Sequence, residues 1–112
     1  MINEKLNQRI REALSNTPAV QEKKMFRGMV FMVNGKMCIT ASDTHIMCRI
    51  DPALHDEAVK KKGCHSVFMG GREYRGYVQI DENAIKTKKD LTWWIKLALE
   101  FNPKAKASKK NK

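Results

Sequence analysis

Long apolar runs, aromatic residues and cysteines are all scarce in this chain of 112 residues. No apolar run approaches the roughly 20 residues that a membrane-spanning helix needs, so we expect no membrane contact. Met1–Lys5 has no apolar stretch behind a basic end, and we therefore expect no secretory signal. Three cysteines are an odd number, which argues against a disulfide framework and favours the cytoplasm as the location.

Positive charge, by contrast, is abundant and unevenly placed. The chain has 22 lysines and arginines against 12 acidic residues, for a net charge of +10. Half of this excess lies in residues 103–112, which contain five lysines and no acid: Lys104, Lys106, Lys109, Lys110 and Lys112. We predict a folded domain over residues 1–102 and a disordered tail over 103–112. The tail either serves solubility alone or neutralises nucleic-acid phosphates weakly and without regard to sequence.

The apolar spacing predicts helices and strands in mixed order. A helical period runs from Ile2 to Leu14, and Asn34–Gly35 is a strong signal for a two-residue hairpin turn. Gln21–Lys24 is polar and is interpreted as a lead into the first strand. The predicted elements that follow are strands Arg27–Val33, Lys36–Ala41 and His45–Ile50, a helix Pro52–Lys61, strands Val67–Met69 and Tyr74–Ile80, and a helix ending near Phe101. Asp51 is expected to cap the first of these helices, which should turn Leu54, Ala58 and Val59 inward. Thr87 is expected to cap the last helix, with Trp94 and Ile95 at the centre of its apolar stripe. The fold class is therefore α+β, with a mainly antiparallel sheet flanked by helices in the order α-βββ-α-β(β)-α.

The two-residue turn also predicts which side chains share a face of the sheet. Val33 should lie opposite Lys36, Phe31 opposite Cys38, and Val30 opposite Ile39. The face expected to meet the helices then carries Val30, Met32, Met37, Ile39 and Ala41. The face expected to be partly solvated carries Met29, Phe31, Val33, Lys36, Cys38 and Thr40.

The cysteines and histidines do not form a recognisable metal motif. Cys48 should share a face with Ile39, whereas Cys38 should point to the opposite face, so the two cannot bind one zinc ion. We predict no metal, no cofactor and no catalytic residue. A cysteine–histidine nucleophilic pair remains an alternative, since such pairs form in space rather than along the sequence. The candidates are Cys38 or Cys64 with His45 or His65.

Two glycines within predicted strands, Gly28 and Gly76, indicate a bulge or a close approach by another part of the chain. Gly70–Gly71 is interpreted as a tight turn between strands.

Aromatic and basic residues alternate near that turn. Arg72, Tyr74, Arg75 and Tyr77 form a candidate partner surface, because exposed tyrosines and arginines are common in protein contacts. Stacking of single-stranded bases on the two tyrosines is one alternative, and packing of the tyrosines within a covered sheet is another.

The segment Lys23–Met37, KKMFRGMVFMVNGKM, resembles the opening K-x-M-F-G-G-x-x-F-x-x-N/D-G-x-M of the TfoX/Sxy N-terminal domain family. Three further segments are similar to that family: Met47–Ile50, Arg75–Val78, and the closing helix Leu91–Leu99 with its two tryptophans. The resemblance extends from about Leu6 to Asn102. Arg27 stands where the family often has glycine, and Tyr77 where it commonly has tryptophan.

The resemblance implies an α+β fold and no established catalytic residues. The family's namesakes are bacterial regulators of competence genes that carry a second, C-terminal domain, and we expect this chain to stop after the first. We therefore predict a non-catalytic regulatory or adaptor domain in the bacterial cytoplasm that acts through protein–protein contact, with the transcription machinery or a regulator as its partner. The alternatives are a basic protein that binds nucleic acid without sequence preference and a small cysteine-dependent enzyme.

Overall fold

The computed structural model describes residues 4–25 and 28–104. Its six strands form one antiparallel sheet in the order β1-β2-β3-β4-β6-β5, which confirms the predicted α+β class. The helices and strands are α1 Glu4–Ala13, β1 Val20–Met25, β2 Gly28–Val33, β3 Lys36–Ala41, β4 His45–Arg49, α2 His55–Ala58, β5 Cys64–Met69, β6 Arg72–Asp81 and α3 Lys88–Phe101. Short 3-10 turns cover Pro52–Leu54, Glu82–Ile85 and Asn102–Lys104. Each described helix is too short or too polar to cross a bilayer.

The edge strand β1 is the element that the sequence pattern did not predict. Gln21–Lys24 was expected to be a polar lead into the first strand. It instead forms the middle of β1 and pairs along its length with β2, and Val20 at the start of β1 lies opposite Val33. These four residues are exposed, because β1 has a neighbour on one side only. Charged side chains on an edge strand discourage pairing with other chains, and they also hide the strand from a hydrophobicity pattern. Glu22 of this strand holds Arg11 of α1 at 2.7 Å.

The β2–β3 hairpin has the predicted turn but not the predicted register throughout. Val33 lies opposite Lys36 and Met32 opposite Met37, as expected, but a shift of one residue then places Phe31 opposite Ile39. The shift is a β-bulge in β3, and it exchanges the two faces of β2 relative to β3. The prediction that Val30 and Met32 share the helix-facing side with Ile39 is therefore wrong. Phe31 and Val33, expected to be partly solvated, are buried in the core instead.

The core lies between one face of the sheet and the helices. That face carries Phe31, Val33, Ile39, Ala41, Ile46, Cys48, Val78 and Ile80. Helix α1 contributes Leu6 and Ile10, and α3 contributes Leu91, Trp94, Ile95 and Ala98. The predicted cap of α3 is confirmed, since the Thr87 hydroxyl accepts a hydrogen bond from the Asp90 amide at 3.0 Å.

The end of α3 is attached to the hairpin turn by side-chain amides. Asn102 is almost fully buried, and its Nδ2 donates to the Val33 carbonyl at 3.0 Å. Its Oδ1 accepts a hydrogen bond from Asn34 Nδ2 at 2.9 Å. Lys36 Nζ donates to the Asn102 carbonyl at 3.2 Å. These three bonds close the fold between its last helix and its central hairpin.

The short helix after β4 is oriented differently from the prediction. Leu54 was expected to point inward, but its side chain is 42% exposed, and His55 takes the inward position with no exposure. The predicted cap is confirmed, because the Asp51 carboxylate accepts a hydrogen bond from the Ala53 amide at 2.9 Å. The helix also ends at Ala58, earlier than the predicted Lys61. A histidine that finds hydrogen-bond partners inside the protein can replace an apolar side chain there.

Both strand glycines lie where the chain makes a close approach, as predicted. A β-carbon on Gly28 would collide with the backbone carbonyl of Ala41. Gly76 has a φ of +92°, and a β-carbon there would press on the Ile50 carbonyl and the Pro52 ring.

Candidate functional site

An open groove of about 820 Å³ lies at the end of the sheet beside α3. One wall is the loop that follows α2, with Lys61 and Lys62, and the other is the first part of α3, with Lys89 and Trp93. The loop is fixed to β6 because the Asp81 amide donates to the Gly63 carbonyl at 2.9 Å. The groove therefore joins an aromatic wall to a set of ammonium groups.

Trp93 is the main aromatic surface of this groove. Its side chain is 44% exposed, whereas the neighbouring Trp94 is 4% exposed. The two rings meet edge to face, with centroids 4.9 Å apart. The ammonium of Lys61 lies 4.5 Å from the Trp93 ring centroid, in a cation–π contact. Trp94 therefore supports Trp93 from the core side, while one face of the Trp93 ring contacts the Lys61 ammonium.

A histidine–aspartate pair forms the far side of the groove. His65 Nε2 lies 3.0 Å from Asp81 Oδ2, and both side chains are about half exposed. Cys64, the neighbour of His65, is buried in the core, because successive residues of a strand point to opposite faces. The structure therefore does not bring Cys64 and His65 together as a nucleophilic pair.

The three thiols are poorly suited to nucleophilic chemistry. Burial raises the pKa of Cys38 to about 12, although the charge of Arg49 opposes this effect. Burial, with the nearby Asp81 carboxylate, raises the pKa of Cys64 to about 11. The pKa of Cys48 is raised well above its usual value by complete burial. The thiolate is the reactive form, so these shifts reduce reactivity at neutral pH.

We expect native Cys38 and Cys64 to be alkylated far more slowly than a free cysteine at neutral pH. A pKa of about 12 or 11 in place of 9.0 lowers the thiolate fraction by about a thousandfold or a hundredfold. Mass spectrometry after a timed iodoacetamide pulse measures the rates, and the unfolded chain in urea is the control, in which all three thiols should react normally. Rapid native alkylation of Cys64 would restore the cysteine-enzyme alternative.

The cysteines and acidic residues do not gather into a metal site within the part of the chain that the structure describes. No group of three or more histidine, cysteine, aspartate or glutamate side chains there could hold a metal ion. Cys48 shares a face with Ile39, as predicted. The prediction that Cys38 points to the opposite face is wrong, because the bulge in β3 leaves Cys38 buried in the same core cluster as Cys48. The absence of bound zinc remains a prediction, which elemental analysis of the purified protein would test.

The four residues of the predicted partner surface, Arg72, Tyr74, Arg75 and Tyr77, do not act as one patch. Tyr74 and Tyr77 are edge to face with centroids 6.2 Å apart, so the structure brings these two together. Arg75 instead pairs with Asp56 of α2 at 3.0 Å. Arg72 is exposed at the β5–β6 turn, where the predicted Gly70–Gly71 turn lies.

Tyr77 lies on the second face of the sheet, opposite the face that carries the core. The strand pairing places Val30, Thr40, Met47 and Gln79 in one row of this face, which we call the open face. Two further cross-strand pairs lie on the same face, Met32 with Met37 and Arg49 with Tyr77. All but the buried Val30 are half-buried, and none of the helices in residues 4–25 and 28–104 packs on them. The Arg49 guanidinium carbon lies 5.6 Å from the Tyr77 ring centroid.

Two polar atoms of the open face are buried and unpaired. Arg49 Nη1 and Thr40 Oγ1 are shielded from solvent and find no hydrogen-bond partner among the described residues. An unsatisfied buried donor is costly, commonly about 1–3 kcal/mol, and such groups often bond to something outside the chain. The open face therefore combines apolar area with a guanidinium whose Nη1 is covered by its neighbours and makes no hydrogen bond among the described residues.

A buried polar network that the sequence pattern did not predict lies under α2. The Gly76 amide donates to His55 Nδ1 at 3.0 Å, so the proton of the neutral ring is on Nε2. That Nε2–H points to Ser66 Oγ at 3.1 Å, and the Ser66 hydroxyl donates to Glu73 at 2.7 Å. The Ser66 hydrogen bond lowers the pKa of Glu73. Because His55 donates to Ser66 rather than accepting its proton, this arrangement does not activate the serine as a nucleophile.

Of the predicted tail contacts, Lys104 alone lies within the described residues, and it is exposed beyond α3. Lys106, Lys109, Lys110 and Lys112 lie outside them. Disorder of the tail and its contact with nucleic acid therefore remain predictions.

Comparisons with known proteins agree with the fold. The family model of the TfoX N-terminal domain matches residues 12–102. A crystal structure of a protein from Pseudomonas syringae superposes with a TM-score of 0.62 and covers 85% of this chain and 97% of its own length. The two sequences are 14% identical, so that likeness concerns the fold alone. The curated proteins include no match to this sequence.

Proposed function

Because the chain belongs to the TfoX N-terminal domain family, we propose that it is a non-catalytic regulatory or adaptor domain that contacts another protein through the open face. The observation that carries this proposal is the buried, unpaired Nη1 of Arg49 among half-buried apolar side chains. The high thiol pKa values and the donor role of His55 support a function without catalysis. The resemblance to bacterial regulators of competence genes supports a role in transcription, in the cytoplasm of a bacterium.

The chemistry of the open face supports a particular kind of partner. Methionines at positions 32, 37 and 47 adapt their shape to apolar side chains of different sizes. Arginine, tyrosine and tryptophan are the residue types that dominate binding energy at protein interfaces, and the open face carries Arg49 and Tyr77. A partner carboxylate would satisfy Arg49 Nη1 with a charge-assisted hydrogen bond.

Charge favours a different protein over a second copy of this chain. The chain carries a net charge of +10, and a second copy placed face to face would bring another Arg49 to the same unpaired position. Like charges across an interface are unfavourable, while opposite charges accelerate association. We therefore propose a partner segment that presents a carboxylate flanked by apolar side chains.

Site-specific crosslinking in the source cell tests the proposal. A photoreactive amino acid at Met47 samples the open face, and the same group at exposed Thr92 of α3 is the matched control. We expect one protein to be crosslinked from position 47 and not from position 92. Once that protein is purified, Arg49→Met should weaken its binding by at least about tenfold, because its carboxylate loses a buried partner.

The variant Arg49→Met should leave the fold intact, since Nη1 has no partner within the described part of the chain and methionine keeps an apolar side chain beside the Tyr77 ring that the guanidinium contacts. Circular dichroism and thermal unfolding check this point. Equal binding by wild type and Arg49→Met, or crosslinking from Thr92 alone, would contradict the assignment to the open face.

A further inference from the structure

We propose that the groove between the Lys61–Gly63 loop and α3 binds a nucleotide unit, with the base stacked on Trp93 and the phosphate held by the lysines. The volume of about 820 Å³ lies within the range of sites for small organic ligands. The groove borders the open face at His65, which lies opposite Gln79. Trp93 and the lysines lie on α3 and on the loop after α2 rather than in the sheet, so variants at these positions test the groove without altering the proposed protein contact.

The aromatic wall provides the first half of the recognition. Trp93 exposes 44% of its side chain although an apolar ring gains by burial, and the buried Trp94 supports it edge to face. A rigidly held, exposed indole presents a surface on which any nucleobase can stack. The same ring already attracts the Lys61 ammonium at 4.5 Å, which shows that its face is accessible to an electron-poor group.

The ammonium groups provide the second half. Lys61, Lys62 and Lys89 all line the groove, and each has a long side chain that reaches an anion without moving the backbone. When a base takes the ring face, the Lys61 ammonium leaves the indole and pairs with the phosphate of the same ligand. The cation–π contact of the free protein is thereby replaced by a charge-assisted one.

Two carboxylates in the groove narrow the ligand class further. Asp81, which pairs with His65, and Asp90 also line it. With three lysines against two acids, the groove is only weakly positive, and a bare polyanion gains little there. A ligand that combines a phosphate with hydrogen-bond-donating amino groups on a planar ring suits both the lysines and the carboxylates, and adenosine monophosphate has this combination.

A nucleotide unit occurs both as a free mononucleotide and within a single strand, and the test separates these sources. Isothermal titration calorimetry and tryptophan fluorescence would follow the addition of adenosine monophosphate, a short single-stranded oligoadenylate, or inorganic phosphate to the full chain at physiological salt. We expect the first or the second to bind and to quench Trp93. Binding of the mononucleotide identifies a free ligand, and binding of the oligonucleotide alone identifies a strand.

Three variants assign the binding to the groove. Trp93→Leu removes the stacking surface and should weaken binding about tenfold or more. Lys61→Gln should weaken it several-fold, whereas Lys96→Gln, an equal charge change at an exposed position of α3 outside the groove, should leave it unchanged. Circular dichroism confirms that each variant is folded.

The proposal is overturned if neither nucleotide ligand binds at millimolar concentration. It is also overturned if inorganic phosphate binds as tightly as adenosine monophosphate, since the base would then contribute nothing. Equal losses from Lys61→Gln and Lys96→Gln would likewise overturn it, because they indicate diffuse attraction to a basic protein.

Discussion

Trp94→Ala should lower the free energy of unfolding by about 3–5 kcal/mol, whereas Trp93→Ala should lower it by less than about 1 kcal/mol. Trp94 is 4% exposed and packs in the core with Leu91, Ile95 and Ala98 of its own helix. Its removal leaves a large cavity between α3 and the sheet. Trp93 points into the open groove, where water fills the space that the missing ring leaves.

Urea unfolding followed by far-ultraviolet circular dichroism measures both variants, with an unchanged dependence on denaturant as the check for two-state behaviour. The variants are matched, because each removes one indole from adjacent positions of the same helix. Equal losses of stability would mean that α3 is rotated about its axis relative to the structure described above. The groove would then lose its aromatic wall.

Phe31→Ala should also cost about 3–5 kcal/mol of unfolding free energy, while Met32→Ala should cost less than about 1.5 kcal/mol. Phe31 has no exposure and lies opposite Ile39 on the core face. Met32 is half-buried on the open face, opposite Met37. The large difference between neighbouring residues follows from the bulge in β3.

This pair of variants distinguishes the two registers of the hairpin. Without the bulge, the turn would place Met32 on the side of the helices and Phe31 toward solvent, and the two costs would be reversed. Thermal unfolding by calorimetry under identical buffer conditions provides the comparison. A greater loss for Met32→Ala would exclude the shifted register.

The same hairpin shows how much of the fold the sequence contains. Asn34–Gly35 predicts the turn, and the register is right for the two pairs nearest to it. Beyond them, Val30, Phe31 and Met32 are all apolar, so the pattern of β2 is equally compatible with either face turned inward. The packing of Phe31 under the helices determines which face of β2 turns inward, and no local pattern in the sequence predicts this packing.

Strand β1 and the candidate sites illustrate a different limit. An exposed edge strand such as Gln21–Lys24 has no buried alternation to detect. The apolar stripe of the last helix predicts that Trp94 is buried, and the structure confirms it. That the exposed ring of Trp93 lines a groove depends on where the Lys61–Gly63 loop folds. His55 depends on Gly76, 21 residues away, for its fixed tautomer. Contacts between distant segments determine each of these features.

The hydrogen bonds from Asn102 to the hairpin also determine when the domain can complete its folding during translation. The Val33 carbonyl and the Asn102 amide that bonds to it are 69 residues apart in the sequence. At a synthesis rate of about 5–20 residues per second, the hairpin is complete about 3–14 s before its partner has been added. During that interval the apolar side chains of β2 and β3 have no helix α3 to cover them. The nascent hairpin therefore exposes apolar surface, of the kind that promotes aggregation, until translation reaches the end of the last helix.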